Sequence, residues 1–228
     1  MERTAIIALI LFVLFSISIY GQIVQPKGQD VAEDVLSRQV EFREITNAAF
    51  AESVAFSLSA ARVPGGVVKI TGCEITSVLH YYPAHTSTLR DTLDFIVQSQ
   101  PDYSWSMNDG VVNLMPKSGE PALLQTRISS LKVKDAESIY QPFDKLMSLP
   151  EVQQSIAKLG LSQTPTFLSI PISLRPDKPR YSVDCQNVTL KEALNAIVRA
   201  HGRNVWRYEE KRCNGKTEYS IDFVVDAP

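Results

Sequence analysis

Histidine and cysteine are scarce in this chain, three of each among 228 residues, and that scarcity narrows the chemistry open to it. Cys73, His80 and His85 stand near one another, but their spacing matches no zinc-ligand pattern, so no metal site is expected. The bland reading of His80 to His85, HYYPAH, is a polar loop, and His201 just before Gly202 suits the negative end of a helix. No G-x-S-x-G, H-E-x-x-H, P-loop or G-x-G-x-x-G motif occurs, so the familiar nucleophile elbow, metalloprotease helix and nucleotide cradles are missing. Catalysis is not expected, nor is a cofactor. A surplus of one charge is also lacking: 23 Lys plus Arg stand against 25 Asp plus Glu, a net charge of −2. Nucleic acids and anionic membrane surfaces select strongly basic faces, so neither is expected as a partner. The late basic group Arg199, Arg203, Arg207, Lys211 and Arg212 is interleaved with Glu209 and Glu210, and it reads as a solvated face.

One long apolar run is present, at the N-terminus. Arg3 precedes Ala5 to Tyr20, broken only by Ser16 and Ser18, and Gly21 follows. A charged start, an apolar run and a small residue describe a secretory signal, cleaved after Gly21. A short uncleaved membrane anchor is the alternative, since a spanning helix usually needs about 20 apolar residues. Export is expected either way, with the periplasm as the compartment if the source is bacterial.

The strongest internal feature is a stretch used twice. Thr88 to Trp105, TLRDTLDFIVQSQPDYSW, aligns without a gap on Thr189 to Trp206, TLKEALNAIVRAHGRNVW, at an offset of 101 positions (189 against 88, 206 against 105). Thr88/Thr189, Leu93/Leu194 and Trp105/Trp206 are among the identical pairs and anchor the match, which points to one building block used twice. Thr189 with Glu192 fits a helix capping box, and Thr88 with Asp91 is its shorter-armed version. Apolar residues then recur at helical spacing until Pro101 in one copy and Gly202 in the other. Tyr103, Trp105 and Met107 alternate with serines as in a half-buried strand, and the Asn108-Asp109-Gly110 turn predicts a hairpin with Val111 to Met115. In the second copy Asn204 to Tyr208 and Glu218 to Val225 are the expected hairpin strands, joined by the polar stretch EEKRCNGK. Both tryptophans are read as core anchors on the strand face that meets the helix. Asp91, Asp94, Glu192 and Asn195 are read as caps and solvent-facing positions.

Ahead of the second helix, Tyr181-Ser-Val183-Asp-Cys185 alternates and Gln186-Asn187-Val188-Thr189 leads into the cap. The run YSVDCQNVTLKEALNAIVRAHGRNVWRYEE, Arg180 to Glu210 with its flank, resembles the short N-terminal domain of secretins and TonB-dependent receptors; Val67 to Pro116 resembles it more loosely. The resemblance implies a small α+β interaction domain without catalytic residues, on the periplasmic side of an outer-membrane machine. No β-barrel repertoire accompanies it here, so a complete secretin or receptor is not expected.

Four segments are therefore expected in an α+β chain. Residues 1–21 are the signal or anchor, and 22–118 form a complete β-α-β-α-β-β module. Residues 119–179 form a helical and Pro-rich connector, with helices over Asp135 to Leu149 and Glu151 to Leu159 and the prolines Pro171, Pro176 and Pro179. Residues 180–228 form a partial β-α-β-β copy. Among the cysteines, Cys185 and Cys213 are the expected disulfide, and Cys73 is read as a small buried hydrophobe. The expected role is protein contact by strand addition at a sheet edge, with Val111, Val112 and Leu114 as the candidate edge and an envelope or outer-membrane protein as partner. Two alternatives stand beside it: a small envelope hydrolase using His80 or His85, and a purely structural homo-oligomer.

Overall fold

A computed structural model describes residues 34–40, 50–73, 87–164 and 180–224. The N-terminal apolar run, His80, His85 and the three connector prolines lie outside the described residues. The first half contributes β1 (Gln39–Val40), α1 (Phe50–Ala60), β2 (Gly65–Thr71), β3 (Ser87–Thr88), α2 (Leu89–Ser99), β4 (Tyr103–Asn108) and β5 (Val111–Pro116). The second contributes β6 (Arg127–Ala136), α3 (Tyr140–Met147), α4 (Pro150–Leu159), β7 (Leu161–Gln163), β8 (Tyr181–Thr189), α5 (Leu190–His201), β9 (Val205–Cys213) and β10 (Lys216–Val224). The fold is α+β, with one six-stranded sheet in the order β4-β5-β2-β9-β10-β7 and two small sheets, β1-β3 and β6-β8.

Both helices of the duplicated stretch close with the same cap. Thr88 Oγ1 accepts from the Asp91 amide at 3.1 Å while Asp91 Oδ2 accepts from the Thr88 amide at 3.4 Å. Thr189 and Glu192 make the same pair of bonds at 3.2 and 2.6 Å, the longer Glu arm reaching back more closely. The next amide is also used alike: Leu89 N donates to Arg38 O at 2.9 Å and Leu190 N to Thr126 O at 2.8 Å. Each helix thus starts by hooking onto the residue just before a strand, β1 or β6, that pairs with the strand leading into it, β3 or β8. Leu89, Leu93 and Ile96 on α2, and Leu190, Leu194 and Ile197 on α5, form the buried stripes.

The connector expectation is corrected over its described part. Residues 127–163 supply β6, α3, α4 and β7: the two expected helices are present, at Tyr140–Met147 and Pro150–Leu159, and the strands beside them join sheets, β6 with β8 and β7 with β10. Pro150 does not merely separate two helices: it stands first in α4, where a missing amide hydrogen costs nothing because the first helical amides have no partner anyway. β6 begins at Arg127, after a turn in which Thr126 N donates to Leu123 O at 3.1 Å. The polar stretch expected as a loop is also corrected. β9 continues to Cys213, and only Asn214 and Gly215 turn, at φ 52° and 71°, as Asp109 and Gly110 do at 50° and 75° in the first hairpin. Both are two-residue turns of the type whose twist suits a hairpin. Charged residues on β9 do not break it, because Tyr208 and Glu210 are buried while Lys211 and Arg212 are exposed.

The core falls into two clusters on opposite faces of the long sheet. α1 and α2 pack with Val67, Val112 and Leu114 on one side, and α3, α4 and α5 pack with Val68, Val111, Trp206 and Phe223 on the other. β2 lies where the two meet, and alternation along it is the reason: Gly65 faces Leu58 of α1, and Gly66 faces Trp206. Covered on both faces and paired in parallel on both edges, Gly65 to Val68 are all buried.

Candidate interaction edge

Among the described residues the sheet's outer strands are β4 and β7. The expected edge at Val111, Val112 and Leu114 is therefore corrected. These residues are at most 1 % exposed and sit on β5, whose second edge is taken by β2 in parallel. β10 is likewise interior, enclosed by β9 and β7. The parallel crossover that brings β2 beside β5 pairs residues about fifty positions apart, and no local pattern announces it.

β4 carries the first copy's tryptophan and β9 the second's, and the two indoles are held alike. Trp105 Nε1 donates to Asp94 Oδ1 at 2.8 Å, and Trp206 Nε1 donates to Asn195 Oδ1 at 2.7 Å. Asp94 and Asn195, read from the sequence as solvent-facing, are instead the acceptors that orient these rings across the helix-strand contact. Their surroundings differ. Trp206 is fully buried because β2 runs alongside β9 and Gly66 lies directly opposite it; a Cβ on Gly66 would fall 2.1 Å from ring atoms Cε2 and Cζ2. Trp105 stays half-buried on the outer strand, with the Arg90 guanidinium 5.9 Å from its ring centroid, a cation over an aromatic face.

Where β2 meets β9, a network of charged groups is half-buried. Arg207 on β9 contacts Asp222 Oδ2 through Nη2 at 2.5 Å and Glu52 of α1 through Nη1 at 2.9 Å, with Glu209 Oε1 3.6 Å from Nε. Burial disfavours the guanidinium charge, but Asp222, Glu209 and Glu52 outweigh it and raise the arginine's pKa above its ordinary value. The network joins the two halves, and sequence gave no sign of it: Glu52 and Arg207 stand 155 positions apart. Tyr208 donates to the buried Glu210, and its phenol is pushed up chiefly by burial, with the Glu210 charge adding to it. The late basic cluster is thus split, with Arg207 half-buried in the network and Arg212 exposed and paired to Glu210 at 2.7 Å.

The disulfide expectation is corrected as well. Cys73 bonds Cys213, and Cys185 is the free thiol. β2 runs parallel to β9 with Thr71 beside Lys211, which carries Cys73 to the tip of the β9-β10 hairpin. Cys185 sits on β8 opposite Leu131, in the small β6-β8 sheet and not in the long sheet that holds β9. Burial raises the Cys185 thiol pKa, and neighbouring Asp184 adds to the effect. Cys73 is exposed, not a buried hydrophobe.

Among the described residues no cluster of three or more His, Cys, Asp or Glu side chains is placed to hold a metal, and no helix is long and apolar enough to cross a membrane. Two shallow, open surface depressions, of about 390 and 190 Å³, lie along β6 and β8 and are lined by no histidine. His201 lies in the last turn of α5 with its ring edge-on to Tyr181, centroids 5.3 Å apart. Comparison with protein-family models, with curated proteins and with solved structures finds no match.

Proposed function

We propose that this chain is an exported, non-catalytic protein-interaction module of a bacterial cell envelope, working by strand addition at the β4 edge of its long sheet. One observation carries the reading. The β4-α2 unit and the β9-α5 unit share capping box, tryptophan and indole acceptor, and in the second the equivalent edge is already occupied, in parallel, by β2. The fold therefore displays within itself what a strand added at such an edge looks like. Strand addition uses backbone groups that an outer strand leaves facing outward, with side-chain pockets setting preference. The resemblance to the short domain of secretins and TonB-dependent receptors supports an envelope partner. A disulfide between Cys73 and Cys213 supports an oxidising compartment, since such bonds persist there.

The two-residue hairpin fixes which β4 amides matter. Asn108 and Val111 flank the turn and exchange bonds, as do Ser106 and Asn113, so the amides of Trp105 and Met107 point away from β5. Met107→Pro removes an outward donor without breaking the inner ladder. The test expresses tagged chain in the source bacterium, fractionates the envelope and compares captured proteins. A partner retained by the wild type and lost by Met107→Pro, with the variant's circular dichroism unchanged, is the expected result. The same partner on both proteins, or tagged chain confined to the cytosol, would overturn the reading.

A further inference from the structure

We infer that the strand received at β4 belongs to a partner protein, lies parallel to β4, and carries glycine opposite Trp105. This rests on the strand-addition reading and adds the identity of the ligand to it. Three observations on the occupied edge lead here. First, β2 on β9 is parallel over seven residue pairs, Gly65 with Val205 through Thr71 with Lys211. Second, Gly66 stands in register with Trp206, and a methyl group there would overlap the indole. The ring leans over its neighbouring strand, so the residue beneath it has no room for a side chain. Third, the lean is imposed by the acceptor on the helix, Asn195, and Trp105 has the corresponding acceptor, Asp94, eleven positions before it in both cases.

Among the described residues, β4 itself carries nothing that repels an added strand, and the Arg90 side chain over Trp105 is long enough to swing aside. The six β4 residues, YSWSMN, include neither lysine nor proline, the residues with which outer strands usually repel additions. On the face away from α2, Ser104 and Ser106 are exposed and small. Their counterparts on β9 are Val205 and Arg207, which meet α1. A ligand at β4 therefore needs no helix behind it, and a bare extended segment suffices. β2 supplies its pattern: glycine under the tryptophan, then Val67 and Val68.

The probe is a synthetic peptide of the β2 sequence, Val63 to Thr71, VPGGVVKIT, titrated into the full chain labelled with ¹⁵N. The β9 edge is already filled by β2, so β4 is the edge the peptide is expected to meet. The expected result is that the amides of Trp105 and Met107 shift most, and that the peptide with Gly66→Val binds at least roughly tenfold more weakly, about 1.4 kcal/mol. Trp105→Ala in the protein should abolish this discrimination while leaving weak binding of both peptides. Equal binding of the two peptides at β4 would overturn the glycine requirement while leaving strand addition intact. Shifts confined to other strands, or none at millimolar peptide, would overturn the inference; loss of the cellular partner by Met107→Pro then remains as the separate check on the broader reading. Concentration-dependent self-association in sedimentation, removed by Met107→Pro, would name a second copy of this chain as the occupant and overturn the assignment to a partner protein.

Discussion

The Cys73–Cys213 bond closes a loop of 140 residues, and its removal is the most quantitative perturbation the structure offers. In the chain-entropy description a loop of that size removes roughly 17 cal/mol/K from the unfolded ensemble, about 5 kcal/mol at 25 °C, against a usual range of about 2–5 kcal/mol for native disulfides. The bond also ties the end of β2 to the tip of the β9-β10 hairpin, the place where the two halves share a sheet. Replacing both residues, Cys73→Ser with Cys213→Ser, avoids leaving a reactive thiol at either end. Urea unfolding followed by tryptophan fluorescence and circular dichroism is the assay. With a slope of about 2–3 kcal/mol/M, the midpoint should fall by roughly 1–2 M, and reductant added to the wild type should move it equally. The native, unreduced protein should show a single thiol, reacting slowly because burial raises the pKa of Cys185. A midpoint shift under about 0.3 M, or a disulfide-linked peptide pair joining Cys185 to Cys213, would refute the placement of β2 beside β9 and the account built on it.

Two further outcomes follow from the same geometry. Gly66→Ala should lower unfolding free energy by about 3 kcal/mol through overpacking against Trp206, whereas Gly72→Ala, whose Cβ would meet nothing within 4 Å, should change it by less than about 0.5 kcal/mol in the same denaturation series. The Glu192 carboxyl is held below its ordinary pKa, first by the Thr189 backbone amide of the capping box, so its contribution is present above the model-peptide value of 4.5 and fades as pH falls through the lower folded value. Melting temperatures of wild type and Glu192→Gln should therefore differ at neutral pH and converge in acid; a gap that persists at the lowest pH would contradict the role given to the carboxylate.

Local chemistry was readable wherever a short stretch decides the outcome. The two capping boxes, the helical stripes, the Gly202 stop, the Asp109-Gly110 turn and the strand nature of Tyr103 to Met107 follow from contacts within about ten residues, and the chain announces them. The same reasoning failed at EEKRCNGK because charge was weighed above the Asn214-Gly215 turn signal inside it. Over residues 127–163 it found the two helices but missed β7, because a three-residue strand leaves little periodicity to find.

What the amino-acid sequence alone determined is a pair of helix-hairpin units, each with a tryptophan aimed at its helix. Tertiary structure alone decided that β2 lies between the two hairpins, and everything functional hangs on that placement. It buries Trp206 and leaves Trp105 on an outer strand, makes β5 interior, brings Cys73 to Cys213 and not Cys185, and joins Glu52 to Arg207. The physical reason is that strand pairing is made by backbone groups common to every residue, so the choice of neighbour is set by which side chains the finished sheet can cover. Gly65 and Gly66 are the sole residues of that choice visible in the sequence, and their meaning appears only once an indole is seen lying across one of them.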